Sequence, residues 1–189
     1  MISKKPEKLL DPILRWLRLR QVMPHIPPNS LLLDIGCGTH AAFLHTVSPY
    51  IKQGYGIDSK VEDSQTKKLQ ISNLNFKDKL PFQDSYFNVV TMLAVLEHIE
   101  NEREILKEIN RVLVPGGKLI ITVPSVWSQP ILEFLSYTLK IVSEADIRDH
   151  KRYYDRTKLK QVLVDISGFE NFNHKYIQLW MNNVCTVSK

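Results

Sequence analysis

The distribution of apolar residues along the chain predicts short buried strands. Leu31, Leu32 and Leu33 form a continuous apolar run, with prolines before it and glycines after it. Such a run is typical of a strand that is buried on both faces, as parallel sheets require. Three further strands of this kind are predicted at residues 55–57, 88–93 and 119–123.

Helices are predicted between the strands, because apolar residues recur there at intervals of three and four. The first helix begins at Asp11 and Pro12, an N-cap carboxylate followed by proline, and ends near Pro24. Other helices are predicted over residues 101–113, 130–142 and 157–167. Alternation of strands and helices indicates right-handed βαβ units around a parallel sheet.

The C-terminal residues depart from this alternation. Residues 172–180 and 184–187, joined by Asn182 and Asn183, are typical of a β-hairpin with a primed turn. We therefore predict a doubly wound, Rossmann-like α/β fold with a mostly parallel seven-stranded sheet and a C-terminal antiparallel hairpin. The interval between Asp58 and Pro81 is short, which leaves room for only an abbreviated third strand.

The length of 189 residues suits one domain, because two full cores would need a longer chain. We predict a single domain over residues 1–189, with an N-terminal helical segment at residues 1–30. Residues 125–155 form an insertion after the fifth strand, and we expect it to act as a lid over the acceptor side of the site.

Composition and charge narrow the classes of protein. No apolar run approaches the roughly 20 residues of a spanning helix, and no apolar segment follows the basic N-terminus as in a secretory signal. Cys37 and Cys185 form no metal-ligand pattern and suit a reducing cytoplasm. The net charge of +5 is mild, and its nearest cluster, Arg15, Arg18 and Arg20, is typical of a solvated helix face. We predict neither a metal site nor a nucleic-acid partner, and the oligomeric state stays open.

A glycine-containing loop, Asp34-Ile35-Gly36-Cys37-Gly38, follows the first strand and precedes a predicted helix. Glycine lets a backbone turn sharply and approach a ligand closely, although a tight strand–helix turn alone would also explain it. Asp58 ends the next strand, 24 residues after Asp34, where α/β cofactor proteins place a carboxylate for a ribose. Ala41 keeps a dinucleotide loop possible, but the Asp34 carboxylate suits a cation or hydroxyls better than phosphate. S-adenosylmethionine, which carries an amino group, a sulfonium and a ribose but no phosphate, fits this polarity.

The same loop, from Leu32 to Thr39, resembles the first motif of class I S-adenosylmethionine-dependent methyltransferases. Residues 80–90, 95–99 and 109–124 resemble later segments of the family, in order and at family spacing. The resemblance is to small-molecule methyltransferases with a type 11-like domain. It implies S-adenosyl-L-methionine as the cofactor and S-adenosyl-L-homocysteine as the product.

The resemblance also implies a set of cofactor contacts. Gly36 and Gly38 would approach the methionine part, Asp58 would bind the ribose hydroxyls, and Asp78 is the carboxylate nearest the position expected for the adenine contact. His40 departs from the family, which usually has a small residue there. The expected cofactor-binding residues are Asp34, Gly36, Cys37, Gly38, Asp58, Ser59, Asp78, Leu80, Leu93 and Ala94.

Two histidines are the candidate catalytic residues. His98 follows the fourth strand, at the carboxyl edge where open α/β sheets bind ligands. His150 stands in a non-periodic stretch with Arg152, Tyr153 and Tyr154, which resembles the family's acceptor side. We expect the two stretches to face each other over the cofactor's methyl group, where a histidine could accept the proton of a hydroxyl. The alternatives are a structural histidine near a helix start and a loop that ties a helix to the sheet.

The sequence thus predicts a cytoplasmic S-adenosylmethionine-dependent methyltransferase, a transferase that moves a methyl group to a small-molecule acceptor by in-line displacement. One alternative is a methyltransferase acting on RNA or protein, and another is a non-catalytic methyltransferase-like binding module. A nicotinamide oxidoreductase is a weaker alternative. Nucleobase chemistry is disfavoured because Met92-Leu93-Ala94-Val95 stands where an Asn/Asp-Pro-Pro-Tyr motif would follow the fourth strand.

Overall fold

A computed structural model describes residues 11–75, 79–129 and 151–189. The helix predicted over residues 130–142, most of the predicted insertion, Asp78 and His150 lie outside these ranges. No helix within the described ranges is both long enough and apolar enough to cross a membrane.

Within the described residues, eight strands form one sheet. They are β1 Leu31–Ile35, β2 Gln53–Asp58, β3 Ser64–Gln65, β4 Leu69–Asn73, β5 Phe87–Leu93, β6 Leu113–Pro124, β7 Glu170–Ile177 and β8 Asn182–Ser188. The strand order is β3-β4-β2-β1-β5-β6-β8-β7. The five strands from β4 to β6 in this order are mutually parallel, while β8, β7 and β3 are antiparallel to their neighbours. The predicted fold class is confirmed, including the C-terminal hairpin.

The described helices are α1 Asp11–Val22, α2 Ala42–Val47, α3 Glu102–Val112 and α4 Arg156–Lys160, which continues into a π-helical stretch, Gln161–Ile166. Short 3₁₀ helices occur at Met23–His25, Leu96–His98 and Val126–Ser128. Both faces of the sheet are covered. Leu33 and Ile35 of β1 belong to the core that contains α3, whereas Leu32 belongs to the core on the α1 and α2 side.

Two details of the sheet differ from the sequence prediction. The eighth strand, β3, is a two-residue edge strand of exposed polar residues, so no apolar pattern in the sequence predicts it. The third strand of the parallel set, β4, has five residues, as many as β1, and is therefore not abbreviated.

The hairpin turn also differs from the prediction. The turn comprises residues 178–181, of which Gln178, Leu179 and Trp180 have positive φ, and Asn183 lies inside β8. Asn183 is fully buried, and its side-chain nitrogen donates to the carbonyls of Val123 and Tyr154 at 3.3 and 3.0 Å. These two hydrogen bonds help to hold Asn183 in the strand, where it pairs with Val123 of β6.

The carboxyl ends of β1, β5 and β6 meet at one edge of the sheet, as the parallel pairing requires. Pro124 at the end of β6 pairs with Asn182 at the start of β8, so the turn between β7 and β8 lies at this edge too. The loops that follow these strands therefore have a common opening, where ligands bind in open α/β sheets.

Candidate functional site

The glycine loop leaves β1 with two residues in the left-handed region, Gly36 at φ 73° and Gly38 at φ 70°. The two glycines differ in what lies next to them. A Cβ atom on Gly36 would overlap the side chain of Val95, whereas a Cβ atom on Gly38 would meet nothing within 4 Å. Gly36 is therefore required by internal packing, and Gly38 borders open space that a ligand can fill.

Asp58, at the end of β2, is hydrogen-bonded to this loop. Its Oδ2 accepts from the backbone N–H of Gly38 at 2.9 Å, and its Oδ1 accepts from the N–H of Lys60 at 2.8 Å. Each carboxylate oxygen can accept a second hydrogen bond, so the half-buried Asp58 side chain is both oriented and still able to receive hydroxyl donors. The structure thus brings Asp58 and the glycine loop together, as the sequence predicts.

A cavity of about 260 Å³ opens beside the loop. Its walls contain five of the predicted cofactor residues, namely Asp34, Gly36, Cys37, Gly38 and Leu93. Arg18 of α1 and His40 complete part of the wall. Arg18 was expected on a solvated helix face, and only the packing of α1 over the edge of the sheet shows its place in the cavity.

Asp34 forms the most buried polar part of this wall, with 3% of its surface exposed. Thr91 Oγ1 donates a hydrogen bond to its Oδ1 at 2.6 Å. Burial raises the pKa of Asp34 to about 7, although the Thr91 hydrogen bond opposes the rise, and the charge of Asp58 adds to it. A cationic group bound beside Asp34 would stabilise its charged form and oppose this rise in the pKa.

A second and larger cavity, of about 600 Å³, lies beside the first and shares Thr39 and His40 with it. Its wall also contains Lys60 and Val61, which follow Asp58, and Ile71 of β4. His40, the residue that departs from the family pattern, therefore stands where the two cavities adjoin.

The 3₁₀ helix after β5 carries His98, which is half-buried, and Glu97, which is fully buried. Neither carboxylate oxygen of Glu97 has a hydrogen-bond partner within the described part of the chain. Burial raises the pKa of Glu97 to about 7, and the proximity of its own backbone N–H and the charge of Arg18 oppose the rise only in part. Sequence reasoning selected His98 here and missed Glu97, because its burial depends on residues that are distant in the chain.

The described part of the predicted acceptor-side segment packs against this 3₁₀ helix. The N–H of Lys151 donates to the carbonyl of Glu97 at 3.0 Å. The guanidinium of Arg152 donates to the carbonyls of Ile99 and Glu100 at 2.6 and 3.0 Å. Residues 151 and 152 therefore lie beside the segment that carries His98, whereas His150 is outside the described residues.

Tyr154 has a different environment from the one expected of an acceptor-side residue. It is fully buried, and its hydroxyl donates to Glu102 Oε2 at 2.6 Å. Burial raises the pKa of this phenol well above its usual value, and the Glu102 hydrogen bond adds to the rise. Tyr154 therefore lies in the core, where it anchors the segment to α3.

The other predicted site residues are spread more widely. Leu80 is fully buried in the core, and its backbone N–H donates to Glu108 at 2.9 Å. Ser59 is exposed beside Asp58, and Tyr153 is half-buried. Ala94 has φ 59° and donates its N–H to Thr122. The described ranges contain no cluster of three residues that could hold a metal ion.

Comparison with known proteins gives a consistent result. Residues 2–174 match a family described as a methyltransferase domain. The protein named "Probable tRNA methyltransferase 9B" of Bos taurus is 35% identical over 115 residues, which cover 57% of this chain and 24% of that protein. This chain therefore spans about a quarter of the length of that relative.

A second relative matches along more of its own length. The ubiquinone/menaquinone biosynthesis C-methyltransferase UbiE of Shewanella oneidensis is 27% identical over 192 residues, which cover 84% of this chain and 74% of that protein. Among solved structures, the complex between the Haloferax volcanii Trm112 methyltransferase activator and a methyltransferase contains a chain that superposes with a TM-score of 0.73. The superposition covers 97% of this chain and 99% of that one, and at 14% identity it shows the fold alone.

Proposed function

Because this chain belongs to the class I S-adenosylmethionine-dependent methyltransferases, we propose that it transfers a methyl group from that donor to a small-molecule acceptor. The observation that carries the proposal is the open space at Gly38, which lies between a buried carboxyl, Asp34, and an oriented one, Asp58.

The residues of the two cavities fit the chemical groups of this cofactor. Asp58 would accept hydrogen bonds from the ribose hydroxyls, and Asp34 would favour the ammonium group on the same wall as Gly38. Arg18 and His40 are cationic or can become so, and they suit the carboxylate of the methionine part. The larger cavity, next to Lys60 and Val61, gives room for the adenine.

When bound, S-adenosylmethionine supplies a methyl group on a sulfonium, a leaving group that needs no further activation. The task of the chain is then to hold the acceptor in line, and such positioning can contribute on the order of 7–11 kcal/mol. A base is required only for an acceptor that must lose a proton, and it then adds about 10²–10⁴ in rate. His98 is our candidate for that role, with His150 as the second candidate.

Cofactor binding tests the proposal directly. Calorimetry on protein stripped of ligand should show binding of S-adenosylmethionine and S-adenosylhomocysteine. Asp58→Ala should weaken binding by roughly tenfold to a hundredfold, because hydrogen bonds to a charged group contribute about 1.5–3 kcal/mol. Asp165→Asn removes an exposed carboxylate from the π-helical stretch and should have no effect. Binding of NAD without binding of S-adenosylmethionine or S-adenosylhomocysteine would refute the proposal.

A second candidate acceptor is tRNA. It is favoured by one observation, the 35% identity to a tRNA methyltransferase relative, although that match covers a smaller share of both chains than the UbiE match does. The structural neighbour in complex with Trm112 makes an activator protein a candidate partner under this alternative. Incubation with radiolabelled donor and either total tRNA or a lipid extract distinguishes a tRNA acceptor from a small-molecule acceptor, since the label appears in the fraction that is methylated.

A further inference from the structure

Exposed large apolar side chains are concentrated at one place on the molecule. Within the described residues, four of the six such side chains belong to two short segments. Leu179 is 94% exposed, Trp180 is 60% exposed and Trp127 is 59% exposed, and Val126 is the fourth. We call these four residues the apolar tip.

Hydrogen bonds join the two segments of the apolar tip. The backbone N–H of Ser125 donates to the carbonyl of Met181 at 3.0 Å, and the Ser125 hydroxyl donates to the carbonyl of Trp180. Pro124 and Asn182, which precede and follow these contacts, are paired strand residues at the carboxyl edge of the sheet. The apolar tip therefore lies at the same edge as the glycine loop and the acceptor-side segment.

The backbone holds the tip in a costly conformation. Gln178, Leu179 and Trp180 have φ values of 54°, 54° and 70°, a left-handed run that residues with a Cβ atom avoid. Strain of this kind persists where the surrounding structure enforces it, and it is concentrated at functional sites. Here it presents a leucine and a tryptophan to solvent, although leucines such as Leu32 and Leu33 are fully buried in the core.

The segment next to the tip is strongly basic. Val126 donates its N–H to the carbonyl of Tyr154 at 3.1 Å, and Ser125 pairs with Tyr154, so residues 151–160 adjoin the tip. These ten residues contain five cationic side chains and one carboxylate, that of Asp155, which accepts a hydrogen bond from the N–H of Lys158. Lys151 is paired with Glu100 and Arg152 with Glu102, so the other three cations contribute most of the positive charge beside the tip. The cationic residues are Lys151, Arg152, Arg156, Lys158 and Lys160.

We infer that the apolar tip seats the protein on anionic lipid bilayers, with the acceptor-side edge towards the membrane. Tryptophan and leucine insert at the boundary between headgroups and acyl chains, and adjacent cations add attraction to anionic lipid. The tip segments, residues 125–129 and 178–182, contain no charged residue, so the tip itself has no cation to pair with RNA phosphates. The inference rests on the proposed function and narrows it, since an enzyme seated in this way acts on a lipid-soluble acceptor.

Co-sedimentation with vesicles tests the inference on the full chain. The protein should bind vesicles of equal parts phosphatidylcholine and phosphatidylglycerol, and should bind pure phosphatidylcholine more weakly. Leu179→Ser and Trp127→Ser should each lower the partition coefficient about tenfold, the effect of withdrawing part of a large apolar side chain from lipid. Tyr50→Ser is the control, because Tyr50 is an aromatic residue of similar exposure, 62%, and it precedes β2 at the opposite edge of the sheet. The double variant Arg156→Gln with Lys160→Gln should abolish the preference for anionic vesicles.

Three results would overturn the inference. The first is co-sedimentation with vesicles that Leu179→Ser leaves unchanged. Leu179 is so exposed that this variant should fold normally. The second is a concentration-dependent dimer, without lipid, that Leu179→Ser dissociates. The third is tRNA binding that Trp127→Ser abolishes in a protein that ignores vesicles. A separate titration with S-adenosylhomocysteine keeps the two proposals apart, because its failure refutes the proposed function and says nothing of vesicle binding.

Discussion

Replacement of Glu97 by glutamine should change how the stability of the protein depends on pH. Glu97 is fully buried, and within the described residues its carboxylate oxygens have no hydrogen-bond partner. Burial raises its pKa from an ordinary 4.5 to about 7. At 1.36 kcal/mol for each pH unit between the two values, deprotonation of Glu97 costs the folded state about 3 kcal/mol, an upper figure because water entry and local relaxation reduce it.

The sign of the effect follows from which state binds the proton more tightly. Below about pH 4.5, Glu97 is protonated in both the folded and the unfolded chain, and the stability is fully present. As the pH rises to about 7 the unfolded chain releases the proton first, so the free energy of unfolding falls progressively. Glu97→Gln stays neutral throughout, and above neutral pH it should be more stable than the wild type by up to about 3 kcal/mol.

Urea unfolding at a series of pH values from about 5 to about 8 measures this difference. Asp34, whose pKa is also raised to about 7, is present in both proteins, so its contribution cancels in the comparison. Glu104→Gln is the control, because Glu104 is half-exposed and paired with Lys107, and its removal should leave the pH dependence unchanged. Stability curves of the wild type and Glu97→Gln that run parallel with pH would show that the reasoning on Glu97 is wrong.

Three further substitutions test separate parts of the site. Gly38→Ala should weaken S-adenosylhomocysteine binding and lower the stability of the fold by only about 1 kcal/mol, whereas Gly36→Ala should lower the stability more, because its methyl group overlaps Val95. Calorimetry measures the binding and thermal melting measures the stability. Equal behaviour of the two variants would contradict the distinction. Asn183→Leu should destabilise by about 1–3 kcal/mol, since two buried carbonyls lose the hydrogen bond from its amide. An unchanged urea midpoint would argue against this account of the hairpin. His98→Asn should lower turnover once an acceptor is found and leave cofactor affinity nearly intact; unchanged turnover would assign His98 a structural role.

Local sequence determines much of the site. Leu32 and Leu33 before a glycine loop are enough to predict a buried strand with a ligand-binding turn, because periodicity and glycine act within a few residues. The meeting of Asp58 with Gly38 also follows from the sequence, since a βαβ unit brings the ends of adjacent parallel strands together. The fold class, the mostly parallel sheet and the C-terminal hairpin were predictable on the same grounds.

Only the tertiary structure decides what each side chain meets. The sequence predicts that Arg18 is a solvated residue of an amphipathic helix. Its place in the cavity wall follows only from the packing of α1 over the edge of the sheet. Glu97 differs from an exposed glutamate through its complete burial, with no hydrogen-bond partner among the described residues. Asn183 lies in β8 and not in the predicted turn, and its amide donates to two distant carbonyls, those of Val123 and Tyr154. Periodicity predicts which side of an element is apolar. The hydrogen-bond partners, the desolvation and the exposure of a side chain depend on residues far apart in the chain, and only the packed fold brings those residues into contact.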